Sequence, residues 1–83
     1  MAYQIVFKEN VRKDLKTLDK LQAGRILLAI FEKLTVAPET EKELTGRFNG
    51  LRRLRIGDYR VIYQIVDESV VVLKISHRKD AYE

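Results

Sequence analysis

The chain of 83 residues has no cysteine, a single histidine and a single proline. Without cysteine there is no disulfide frame, thiol nucleophile or thiolate cluster, and one histidine falls short of the ligand set of an ordinary zinc site. No metal or organic cofactor is expected. The opening Met1-Ala2-Tyr3-Gln4-Ile5 lacks a basic stretch followed by an apolar run, so no secretory signal is read there, no membrane span is expected anywhere, and the cytoplasm is the expected location. Gly24, Gly46, Gly50 and Gly57 are scattered, which excludes a glycine-rich phosphate loop. The densest acids, Glu39, Glu41 and Glu43, stand in a polar stretch and form no catalytic carboxylate pair. What is present is the balance of a globular chain, 46% hydrophobic and 34% charged, enough for one domain spanning residues 1–83. The net charge of +4 favours a polyanion or an acidic partner.

Side-chain periodicity divides the chain into elements. Tyr3, Ile5 and Phe7 alternate with Gln4, Val6 and Lys8, which predicts a strand over residues 2–7. From Asn10 the period lengthens, and Val11, Leu15 and Leu18 make one face of a short amphipathic helix. Asp19 stands at an N-cap position before a second helix over residues 20–35, whose apolar stripe is read as Leu27, Ile30, Phe31 and Leu34, supported by Ile26 and Leu28. Pro38 ends it and opens a polar loop. After the Asn49-Gly50 turn come three short runs rich in Val, Ile and Tyr, split at Gly57-Asp58 and Glu68-Ser69, the pattern of an antiparallel meander. The predicted order is β-α-α-β-β-β: an α+β fold with two N-terminal helices packed on one face of a mainly antiparallel four-stranded sheet.

Arg47, Arg52, Arg53, Arg55 and Arg60 fall within one sixth of the length, opposed only by Asp58. Period two puts Leu54 and Ile56 on one face of their strand and Arg53 and Arg55 on the other. In the next strand Val61, Tyr63 and Ile65 are read as core, with Tyr59 beside them, and in the last strand Val71, Leu73 and Ile75 repeat the apolar row. Arg53, Arg55 and Arg60 then project together from the uncovered face, with Arg78 near the same rim. Solvated surface charge is the ordinary fate of such a cluster. Here the guanidinium fork, suited to bidentate phosphate binding, and the crowding of like charges on neighbouring strands both call for an anion. His77 is the one group titrating near neutrality without help, and Tyr82 follows Arg78 closely enough to enter the patch.

The run Leu54-Arg55-Ile56-Gly57-Asp58-Tyr59-Arg60-Val61-Ile62-Tyr63, followed by a Val-rich strand and by His77-Arg78-Lys79-Asp80-Ala81-Tyr82, resembles the RelE/ParE superfamily of toxin–antitoxin toxins, the RelE branch in particular. The resemblance covers essentially the whole chain. It implies a ribosome-dependent endoribonuclease that cuts messenger at the decoding site, by attack of a 2′-hydroxyl on the neighbouring phosphodiester and without a metal. Carried over by position, Arg60 and Arg78 match phosphate-contacting arginines, Arg53 and Arg55 match basic residues of the preceding strand, and Tyr82 matches a C-terminal tyrosine. Arg47, Arg52, Arg55, Lys74 and Lys79 make up the wider RNA-binding surface. The proton of the attacking hydroxyl falls to Tyr82, His77 or solvent, since arginine stays protonated. The implied partners are a RelB-like antitoxin, the ribosome with its messenger, and operator DNA reached only through the antitoxin. The alternatives are a non-enzymatic ParE-type toxin acting on DNA gyrase and an inactive antitoxin-binding domain.

Overall fold

The computed structural model describes residues 2–46 and 49–77. The chain runs β1 (Gln4–Phe7), α1 (Glu9–Thr17), α2 (Lys20–Leu34), a 3-10 turn (Pro38–Thr40), β2 (Lys42–Glu43), β3 (Arg52–Ile56), β4 (Tyr59–Val66) and β5 (Ser69–His77). One five-stranded sheet has the order β1-β5-β4-β3-β2, antiparallel except where β1 lies parallel to β5. The α+β arrangement with two helices on one sheet face matches the sequence reading. The two-residue edge strand β2 is the difference. It forms in the stretch read as loop because the Tyr63 hydroxyl donates to the Pro38 carbonyl at 2.5 Å and the backbone N–H of Leu44 donates to the Leu51 carbonyl, drawing residues 38–44 against β3.

Asp19 caps α2, its Oδ1 accepting from the Gln22 N–H at 2.8 Å, and so satisfies a donor that the helix leaves open. The core joins Val11 of α1 and Ile26, Ile30 and Leu34 of α2 to Leu54, Val61, Tyr63, Val70, Val72 and Ile75 of the sheet. Tyr3, Ile5, Phe7, Leu15, Leu18, Ile56, Tyr59 and Ile65 pack partly buried around it. In α2 the buried stripe is therefore centred on Ile26, Ile30 and Leu34, turned by about 50° round the helix from the one read in the sequence, and Leu28 and Phe31 are exposed. Ile26-Ile30-Leu34 and Leu27-Ile30-Phe31-Leu34 both satisfy helical spacing. Only the angle at which α2 lies on the sheet decides between them.

The last strand departs from simple alternation. Tyr63 pairs with Val72 but Ile62 pairs with Lys74, so Leu73 is an extra residue, a β-bulge. Before it the core side chains are Val70 and Val72, not Val71 and Leu73 as strict alternation down from Ile75 requires. After it the count resets, and Ile75 points into the core. The carbonyl at the bulge is satisfied from outside the sheet, where Asn10 Nδ2 of α1 donates to the Leu73 oxygen at 3.1 Å.

Candidate functional site

Two cross-strand rows organise the uncovered face. Arg53 pairs with Ile62, which pairs with Lys74, and Arg55 pairs with Arg60, which pairs with Ser76. Directly opposed side chains in antiparallel strands hold their Cβ atoms about 4.5–5.5 Å apart and diagonal ones about 7–8 Å apart. Arg55 and Arg60 are thus immediate neighbours, with Arg53 one diagonal step from Arg60. Lys74 closes the other flank of the first row. The bulge matters here, because it puts Lys74 and Ser76 on this face while Ile75 returns to the core.

Arg53 and Arg60 are half-buried, whereas Arg55 is exposed. Ile62 faces away from the helices and is still only 8% exposed. Its cross-strand neighbours are two long chains, Arg53 and Lys74, whose methylene stems can cover apolar surface. Arg53 Nε is enclosed and finds no hydrogen-bond acceptor among the described residues. A guanidinium N–H removed from water without an acceptor is costly, and a bound anion that supplies one relieves the cost. Ser76, the one buried polar side chain among the described residues, lies opposite Arg60 in the same row. It is a hydroxyl that the sequence reading passed over: alternation from Ile75 already turns Ser76 to this face, but its pairing with Arg60 depends on the register of β4 against β5.

Two residues from the sequence reading stand elsewhere. Arg52 was expected on the RNA-binding surface, but it lies on the helix side of β3, where its guanidinium donates to the Glu41 carbonyl at 2.7 Å and pairs with Glu43 at 3.8 Å. The cause is parity, since Arg52 shares a face with Leu54 and Ile56. His77 also lies on the helix side, opposite Tyr59 in the ladder, with the two rings edge to face at 5.3 Å. Together with Gln22 and Arg25 of α2 and the turn from Ile56 to Tyr59, it lines a cleft of about 500 Å³. The sheet itself separates this imidazole from the arginine face. Arg47, Arg78, Lys79 and Tyr82 lie outside the described residues. Of the acids, Glu39 accepts from the Tyr3 hydroxyl at 2.8 Å. That hydrogen bond holds the Glu39 carboxyl below its ordinary pKa and raises that of Tyr3. These acidic side chains serve to tie down the loop. Among the described residues no group of three or more His, Asp or Glu side chains is arranged to hold a metal ion, and no helix is long and apolar enough to cross a membrane.

Comparison with known proteins places the chain among relatives. The family model described as the ParE toxin of the type II toxin–antitoxin system parDE matches residues 5–82. Toxin RelG of Mycobacterium tuberculosis is 36% identical over 93 aligned positions, covering 99% of this chain and 98% of that protein. Among solved structures, a chain of the toxin–antitoxin complex RelBE2 from Mycobacterium tuberculosis superposes with a TM-score of 0.83 at 28% identity, over 94% of this chain and 100% of the other. A chain of the archaeal RelE–RelB complex from Pyrococcus horikoshii gives 0.67 at 34% identity, over 98% and 100%.

Proposed function

The chain belongs to the RelE/ParE family of type II toxin–antitoxin toxins, and from that membership we propose that it is a ribosome-dependent endoribonuclease cleaving messenger at the decoding site. The observation that carries this reading is the convergence of Arg53, Arg55, Arg60 and Lys74 on one uncovered sheet face, with the enclosed Arg53 Nε lacking an acceptor among the described residues. In the reaction, the 2′-oxygen of the messenger bonds to the adjacent phosphorus and the bond from phosphorus to the 5′-oxygen breaks. The products are a 2′,3′-cyclic phosphate and a free 5′-hydroxyl. The five-coordinate transition state carries more negative charge on its equatorial oxygens than the ground state, so preplaced guanidinium groups lower the barrier. Arg60 is assigned the central phosphate contact and Arg53 and Arg78 further ones, while Arg55, Lys74, Arg47 and Lys79 are assigned to the flanking backbone.

The attacking hydroxyl's proton leaves to Tyr82, acting as the tyrosinate, or to water, and the departing 5′-oxygen takes one up. His77, behind the sheet, is not assigned this step. The ribosome supplies alignment of the attacking and leaving oxygens, an effect that accounts for a large part of such barriers, so free RNA is a poor substrate. The relatives solved as RelE–RelB and RelBE2 complexes support an antitoxin partner for this chain. An acidic, extended antitoxin segment would neutralise the arginine face, and operator DNA would be reached only through that antitoxin. The test is primer extension on messenger from translating ribosomes after expression of the chain alone. Breaks within codons are expected, and Arg60→Ala should lower the cleavage rate about 10²–10³-fold, as loss of one preorganised donor does, with an unchanged circular dichroism spectrum. The family model's ParE description favours a second reading, a non-enzymatic toxin of DNA gyrase. Intact messenger together with stalled replication would select it and reject the nuclease.

A further inference from the structure

The outward face of α2 carries apolar side chains that the core does not use. At about 100° per residue, Leu21, Gly24, Leu28 and Phe31 fall on the side of the helix opposite Ile26, Ile30 and Leu34. Leu21 is 71% exposed, Leu28 59% and Phe31 47%, and Val36 just beyond the helix end is 72% exposed. Phe31 is held in place by an edge-to-face contact with Phe7 at 6.2 Å. Gly24 leaves a notch on this face, since a Cβ built there meets nothing within 4 Å. Large apolar residues gathered on one helix face, rather than scattered singly, mark an interaction surface.

The charges on this face indicate what covers it. Arg25 precedes Leu28 by three positions and Glu32 follows it by four, so the two charges straddle Leu28 on the same side of the helix. Among the described residues neither has an ion-pair partner, and the one ion pair seen is between Arg52 and Glu43. We propose that the outward face of α2 is a two-fold interface between two copies of this chain, with the two α2 helices antiparallel and the axis beside Leu28. In that arrangement Leu28 meets its own copy, and Leu21 reaches the turn at Val36 of the second copy. The Phe31 ring enters the notch at Gly24, and each Arg25 lies opposite the Glu32 of the other chain. A pattern that satisfies itself when rotated by a half turn is what an isologous contact requires. The contact is one helix pair, at the low end of interface sizes, so the dimer dissociates in the micromolar range. It lies on the opposite side of the molecule from Arg53 and Arg60, and it does not depend on the nuclease reading.

Sedimentation velocity of the full chain across a concentration series tests the proposal. The expected result is a monomer–dimer equilibrium in which Arg25→Glu alone and Glu32→Arg alone each raise the dissociation constant about tenfold or more, by turning two attractive cross-pairs into repulsive ones. The double variant Arg25→Glu/Glu32→Arg should restore dimerisation, and Leu28→Glu, at an exposed helical position, should abolish it with the helical spectrum unchanged. A chain that is monomeric at every concentration overturns the proposal, as does a dimer that the charge reversals leave intact or the double variant fails to rescue. Loss of antitoxin co-purification in Leu28→Glu, with no self-association of the parent chain, would assign the face to the antitoxin instead and overturn it equally.

Discussion

Tyr63 joins three levels of this molecule in one side chain. Its ring fills the core under α2, its position in β4 sets Arg60 and Ile62 on the opposite face, and its hydroxyl anchors the Pro38 carbonyl. Burial raises its pKa above the ordinary tyrosine value of 10. The folded state therefore keeps the phenol neutral where the unfolded chain ionises it. Its contribution to stability is fully present below about pH 10 and is lost as pH rises beyond that. Tyr63→Phe should flatten this alkaline limb in urea melts run at pH 8 to 11. At pH 7 it should cost about 1–3 kcal/mol, because the Pro38 carbonyl is left without its donor. Asp67 shows the opposite kind of constraint. It opens the β4–β5 turn at a φ of 55°, in the left-handed region that side chains avoid. Asp67→Gly should raise the thermal midpoint, the gain staying below about 1 kcal/mol because glycine loses more entropy on folding. The turn was legible from Glu68-Ser69 and the patterning on either side. The sign of φ at Asp67 was not, since it depends on the register in which β4 and β5 meet.

At the scale of elements, the bulge in β5 has the largest consequence for the site. Alternation read down from Ile75 puts Val71 and Leu73 in the core, whereas the structure buries Val70 and Val72 and resets the count at Leu73. Because Leu73 is the extra residue, its deletion leaves Ile62 opposite Lys74 and Val61 opposite Ile75. The fold should survive that deletion at a cost of about 1–3 kcal/mol, mostly from the Asn10 hydrogen bond and partial burial of Leu73. Deletion of Gln64, where β4 pairs without a bulge, should abolish the cooperative transition, since it turns one flank of the strand inside out. Urea titrations of the two deletions compare them directly. The β3 and β4 faces were legible beforehand because apolar and charged residues alternate cleanly there. A run such as Val70-Val71-Val72-Leu73 has no polar member to mark the outside, and the same lack of contrast hid which stripe of α2 faces the sheet.

The whole molecule carries +4, and its strongest cationic cluster projects from the sheet face that the helices leave open. If about three backbone phosphates are neutralised by Arg53, Arg60 and their neighbours, the affinity for single-stranded RNA should fall with a slope of about −2 in log K against log salt, at roughly 0.7 per phosphate. Fluorescence anisotropy with a short labelled RNA measures it, and Arg53→Ala should reduce the slope by about 0.7. The order of elements, the helix cap at Asp19, the face shared by Arg53, Arg55 and Arg60, and the family were all determined by the sequence alone, because each rests on spacing within one segment or on a contiguous motif. Tertiary structure alone decided that Arg52 is held by Glu41 and Glu43, that the His77 ring packs edge to face on Tyr59, that Ser76 pairs with Arg60, and that Leu21, Leu28 and Phe31 face outward. Each of those depends on where one element lies against another, and short-range periodicity carries no record of that.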